Sequence, residues 1–201
     1  IEHDLIETAI EHADAMAFTG STDTGRYLAS LAGKHIKKCV LELGGSNAFI
    51  VLDDADVEQA AHDVVYSSFR DAGQSRNAAK RLIVTPKIAD AVVARVVALS
   101  EQLVMGDPMR PETTLAPLHT QVLQQKAHAQ VQDALAHGAS ALCGGVLPEG
   151  SGYFYPATVL DHVNPACRVY GEEVFAPILS VLRAADEADA LAGEDSAAEP
   201  V

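Results

Sequence analysis

The chain has no surplus of basic residues: 14 Lys and Arg stand against 28 Asp and Glu, a formal net charge of -14. Nucleic acid and anionic membranes both select for Lys/Arg excess, so neither is expected as a partner. No apolar run approaches the roughly 20 residues that a membrane span needs. Ile1-Glu2-His3-Asp4 looks nothing like a signal peptide. Cysteine is scarce. Cys39, Cys143 and Cys167 are odd in number and widely separated, which argues against a disulfide framework and for a reducing, cytoplasmic compartment. No repeat or low-complexity segment stands out before the last ten residues. The Gly-x-Gly-x-x-Gly dinucleotide fingerprint is absent, and the eight histidines form no metal-binding pattern.

What is present reads as a globular protein. Hydrophobic residues make up 48% and charged residues 21% of 201 residues, enough for one large domain or two small ones with a sizeable core. The chain opens on Ile1 directly into a helical pattern, so it is expected to be part of something longer.

Periodicity divides the chain into alternating elements. Leu5, Ile6, Ala9, Ile10 and Ala13 share a helical face, and Asp14 to Thr19 reads as a short buried strand. Gly20 to Gly25 read as a turn, with helix from Arg26 to Lys34. Cys39 to Leu41 and Phe49 to Leu52 read as strands on either side of the Gly44-Gly45 break. Asp54 or Asp56 caps a helix with Val57, Ala61, Val64, Val65 and Phe69 on its apolar face, ending near Gly73. A strand over Arg81 to Val84 stops at Pro86, and a helix follows with Ile88, Val92, Val96, Leu99 and Leu103 on one side. Another carries Leu123, Ala127, Val131, Ala134 and Leu135. Strands at Ser140 to Cys143, Thr158 to Leu160 and Ile178 to Leu182 complete an α/β pattern with a largely parallel sheet. A helix begins at Asp186, and periodicity is lost from Gly193 onward, which reads as a frayed tail.

Four segments hold candidate chemistry. Phe18-Thr19-Gly20-Ser21-Thr22 places a Gly turn and a hydroxyl at a helix start, which suits either a cap at Ser21 or Thr22 or a phosphate. Glu42 ends an apolar strand beside Gly44-Gly45. It is either a partly desolvated general base or an ordinary exposed strand-end carboxylate. Gly73-Gln74-Ser75-Arg76 precedes Asn77-Ala78-Ala79-Lys80-Arg81. Tyr170-Gly171-Glu172-Glu173-Val174-Phe175-Ala176-Pro177 is an acidic turn before a strand.

Together these motifs, in this order, closely resemble the NAD(P)-dependent aldehyde dehydrogenase family. The Gly73-Gln74-Ser75 and Ala78-Ala79-Lys80-Arg81 runs are most similar to its succinate-semialdehyde dehydrogenase branch. The resemblance covers about Ala17 to about Leu191. It implies an α/β fold in which residues 1–43 end a Rossmann-like cofactor-binding domain, 44–191 form most of the catalytic domain, and 192–201 are an irregular tail. It implies NAD or NADP as cofactor, with Gly20 and Ser21 near the pyrophosphate, Glu173 on the nicotinamide ribose and Phe175 packed near the ring. Glu42 falls where a base activates the water that hydrolyses a thioester. A small aldehyde such as succinate semialdehyde and homo- or hetero-oligomers are the partners implied.

Three departures stand out. Ser46 follows Gly44-Gly45 where the family often has Lys. Ala176 replaces a usual Gly, which would strain a backbone of positive φ. Most consequential, Arg76 occupies the position of the nucleophilic cysteine. A guanidinium has no free pair and stays protonated, so it cannot attack a carbonyl. Cys39 lies three residues from Glu42 and so points to the opposite face of a regular strand. The early strands of the cofactor domain, an adenosine-side lysine, an oxyanion-hole asparagine and the closing segment of the catalytic domain are expected to be missing. The expectation is a family polypeptide without aldehyde-oxidising activity. The alternatives are a non-catalytic cofactor-binding or assembly module, or a decayed or mis-sequenced piece of an active enzyme.

Overall fold

The structure is a computed structural model and describes residues 5–195. It divides into two compact units, the first running to Gly45 and the second beginning at Ser46, two residues beyond the expected break.

The first unit consists of α1 (Ile6–His12), β1 (Ala15–Thr19), α2 (Thr22–Lys34) and β2 (Lys38–Glu42). β1 and β2 pair in parallel, with Thr19 opposite Glu42. Burial alternates along both strands between exposed and half-buried, so β1 is not the fully buried strand its apolar run suggests. Only one face is covered. Met16, Phe18 and Cys39 pack there against a small core of Ile10, Leu28 and Ala32. The expected turn over Gly20 to Gly25 is shorter, because Ser21 caps α2 and the helix starts at Thr22. Gly25 is then buried in the first turn, where a Cβ would meet Leu43 at 2.4 Å.

The second unit consists of β3 (Ala48–Val51), α3 (Val57–Phe69), β4 (Arg81–Val84), α4 (Pro86–Ser100), α5 (Gln121–Ala136), β5 (Ser140–Cys143), β6 (Thr158–Asp161), α6 (Arg168–Gly171), β7 (Ile178–Arg183) and α7 (Glu187–Asp195). Its sheet has the order β3-β4-β7-β6-β5, parallel except for β5. Every residue of β4 and β6 is buried, including Arg81, Thr158 and Asp161, as inner strands of a doubly covered sheet are. Asp56, rather than Asp54, caps α3 by accepting from the Gln59 N–H at 2.9 Å. Leu135 is exposed on α5, whereas Leu103 lies beyond the end of α4 but still packs against the core.

Charges inside this unit are satisfied by specific partners. Arg81 is 2% exposed, and its Nε and Nη2 donate to the Ser46 carbonyl at 3.0 and 2.7 Å. Its Nη1 donates to the Gly193 carbonyl at 2.6 Å. That bond fixes α7, which continues to Asp195 where sequence periodicity had already failed. The start of α7 is closed reciprocally: Asp186 accepts from the Asp189 N–H at 2.9 Å, and Asp189 accepts from the Ala185 N–H at 2.7 Å. The rest of the predicted tail lies outside the described residues.

Candidate active site

In the first unit, the carboxyl ends of β1 and β2 meet the start of α2. The Gly20 N–H donates to the Glu42 carbonyl at 3.1 Å, so Gly20, Ser21 and Glu42 converge at one edge of the strand pair. A Cβ on Gly20 would meet the Phe18 ring at 2.5 Å. Ser21 Oγ accepts from the Thr24 N–H at 3.3 Å and donates to Thr24 Oγ1 at 2.9 Å. The remaining N–H groups of the first turn and the positive end of a long helix face this edge, where α/β sheets bind anionic groups. The cap and the phosphate readings of Ser21 are therefore compatible. Glu42 is exposed, the second of the two environments its sequence allowed. Its strand pairs with β1 and leaves one face uncovered.

In the second unit, the site is built around the turn that connects α3 to β4. Asp71, Ala72 and Gly73 are consecutive left-handed residues, with φ of 53°, 55° and 69°. For the two non-glycine residues this costs roughly 1–2 kcal/mol each. The surroundings impose it. A Cβ on Gly73 would lie 2.2 Å from the Ala176 carbonyl oxygen, so only glycine lets the two segments touch. Gln74 donates from Nε2 to the Asp71 carbonyl at 3.2 Å and accepts at Oε1 from the His119 N–H at 2.8 Å. Asn47 Nδ2 donates to the carbonyls of Arg76 and, at 3.3 Å, Ala78. Arg76 is exposed at the apex of this turn. Ser75 Oγ donates to Asn77 Oδ1 at 2.5 Å.

The acidic segment comes to the same place. Buried Gln130, on α5, donates from Nε2 to Glu172 Oε2 at 3.0 Å and to the Glu173 carbonyl at 3.2 Å. Arg168 donates to Glu172 at 2.7 and 3.0 Å. The Arg168 hydrogen bond holds the Glu172 carboxyl below its usual range against the opposing effect of burial. Beyond them, Lys80 Nζ lies 5.5 Å from the Phe175 ring centroid and donates to the Gly73 carbonyl. Burial brings the Lys80 ammonium down to about 8, and the Glu173 charge partly opposes the shift. Gly73, Lys80, Glu173 and Phe175 thus form one cluster. Ala176 does not have a positive φ, so the expected strain there is absent.

Sequence reasoning missed Lys80, Gln74, Gln130 and Asn47 as functional supports. Gln130 left a readable signal, a polar residue inside the apolar stripe of Ala127, Val131 and Ala134. Of the cysteines, Cys143 ends the edge strand β5 with its thiol 3.7 Å from the Ala157 carbonyl, and burial pushes that thiol up. Cys167 Sγ sits 3.9 Å from the Ala134 carbonyl. His128 is half-buried with Nδ1 3.3 Å from the Tyr155 hydroxyl. Among the described residues, no group of His, Cys, Asp and Glu is placed to hold a metal, and no helix is long and apolar enough to cross a membrane.

The chain is 42% identical over 189 residues to a succinate-semialdehyde dehydrogenase (NADP(+)) of Deinococcus radiodurans, covering 93% of this chain and 40% of that protein. It is 43% identical over 177 residues to a succinate semialdehyde dehydrogenase (NAD(P)+) of Escherichia coli, covering 88% and 38%. The chain therefore spans about two fifths of the length of these relatives. A succinic semialdehyde dehydrogenase from Streptococcus pyogenes, solved in complex with NADP+, superposes with a TM-score of 0.93 at 33% identity, over 98% of this chain and 44% of that one. An NADP-dependent enzyme of Escherichia coli gives a TM-score of 0.93 at 34% identity, over 98% and 41%. The family model described as "Aldehyde dehydrogenase family" matches residues 3–197, and the chain belongs to that family.

Proposed function

We propose that this chain is a succinate-semialdehyde-dehydrogenase-like polypeptide that keeps nicotinamide-nucleotide-binding elements but does not itself oxidise aldehydes. The observation that carries this reading is Arg76 at the apex of the turn where the family resemblance puts a cysteine. The turn is intact, with its glycine contact, its Gln74 and Asn47 supports and its left-handed backbone, yet it presents a guanidinium. A cation that cannot lose its proton offers no electron pair to an aldehyde carbon.

The residues present suit NAD or NADP. The positive start of α2, with the Ser21 hydroxyl beside it, fits a pyrophosphate. Glu173 would hold a ribose diol, and the Phe175 ring would pack beside the nicotinamide. The nicotinamide, when bound, is a hydride acceptor. Glu42 stands at the strand end from which a carboxylate can take a proton from water. Relatives whose names specify NADP(+) or NAD(P)+ support this assignment.

The test pairs a melt with an assay. Thermal denaturation of the 201-residue chain with millimolar NAD+ or NADP+ is expected to show stabilisation by at least one of them. Ligand at about a hundred times its dissociation constant adds ~2.7 kcal/mol. Succinate semialdehyde with either nucleotide is expected to give no reduced nicotinamide above a Glu42→Gln control. Turnover above that control refutes the loss of activity, and a melt blind to both nucleotides refutes the binding half.

A further inference from the structure

Lys80 is 2% exposed although it carries an ammonium group. Its contacts fall on two segments far apart in sequence. On one side Nζ donates to the Gly73 carbonyl, and on the other it stands 5.5 Å from the Phe175 ring centroid, in the field of Glu173. The same segments also touch through backbone alone, where a Cβ on Gly73 would meet the Ala176 oxygen at 2.2 Å. The Lys80–Gly73 bond closes the turn into a ring, and position 76 lies inside it. Even fully extended, the chain from Gly73 to position 76 reaches at most roughly 10 Å.

We infer that Lys80 is a positioning residue: it locks the turn presenting position 76 to the segment carrying Glu173 and Phe175, and holds a positive charge close to whatever group position 76 carries. The inference deepens the reading that Glu173 and Phe175 hold the nicotinamide end of the cofactor. With the hydrogen bond and a short side chain added to that reach, the Lys80 charge stays within roughly 15 Å of a thiol placed at position 76, near enough to shift its ionisation.

The experiment introduces Arg76→Cys and follows alkylation of that thiol by iodoacetamide from about pH 6 to 9.5, read by peptide mapping to separate it from the other cysteines. It needs neither nucleotide nor aldehyde, so its failure is distinguishable from failure of the proposed function. With Lys80 present, the midpoint is expected below the ordinary thiol value of about 8.5. Adding Lys80→Met is expected to raise the midpoint by about half a pH unit or more and to slow alkylation at pH 7 about threefold. Lys80→Arg, which keeps the donors and stays charged across the whole window where Lys80 loses its proton near pH 8, is expected to hold the midpoint at or below the parent's. An unchanged profile in a Lys80→Met chain that still melts cooperatively overturns the inference. So does a Lys80→Arg chain with the raised midpoint, since packing alone would then explain the effect. If Lys80→Met has no cooperative melt, Lys80→Gln is read in its place, with the same expectation and the same overturning result.

Discussion

At the scale of single residues, Lys80 combines a cost and a use. Its folded-state value of about 8 lies below the 10.5 of a free lysine because burial disfavours the ammonium. Between those values the unfolded chain binds more protons than the folded one, so stability rises with pH across that window. Below about pH 8 the full penalty is present. Urea denaturation at pH 7.5 and 9.5 is expected to show a gain of about 2 kcal/mol that Lys80→Met lacks. A parent and variant with parallel pH profiles would contradict this. The penalty is tolerated because the ammonium meets the Gly73 carbonyl, the Phe175 ring and the Glu173 charge. Glu173 and Phe175 lie far from Lys80 in sequence, which is why the residue read only as part of a family motif. Arg76 was legible at once, since its chemistry conflicts with its position whatever the fold.

At the scale of elements, the turn before β4 depends on one missing methyl group. Gly73→Ala would force a side chain into left-handed backbone and against the Ala176 oxygen, and is expected to cost about 3 kcal/mol. The measurement is a denaturant midpoint, and a loss below about 1 kcal/mol would mean that the two segments separate freely. The regular elements around this turn were readable because their signals are local. α3 and α4 declare their buried faces through spacing, and β4 is a short apolar run ended by Pro86. Other features were set by tertiary context. β1 has the composition of a core strand yet is covered on one face only. α7 holds through the caps made by the Asp186 and Asp189 carboxylates and through a carbonyl that accepts from Arg81, which apolar periodicity does not report. The sequence left the burial of Glu42 open for a related reason: burial at a strand end is decided by what packs over it. The cluster of Gly73, Lys80, Glu173 and Phe175 was legible only as separate motifs.

At the scale of the molecule, the two units differ in how much they bury. The first holds three buried apolar side chains and an open, apolar groove of about 500 Å³ lined by residues such as Ile6, Ala9, Met16, Phe18 and Leu28. The second has a continuous core running through β4, β6 and β7. Local stability follows buried contact, so amides of β1 and β2 are expected to exchange at least about a hundredfold faster than those of β4 and β7. Equal protection in the two units would overturn that expectation.

The buried guanidinium of Arg81 has one more consequence. It donates to the carbonyls of Ser46 and Gly193 at once, so those two oxygens lie no more than roughly 8 Å apart. The second unit, traced from Ser46 to Gly193, returns almost to its starting point. Topologically it is close to a loop of string with a small gap. A short linker across that gap, with the chain reopened at the exposed Gly150–Gly152 bend, would give a circular permutant with the same sheet order. Where this sheet begins and ends along the gene is thus a matter of history, and its architecture is indifferent to the choice.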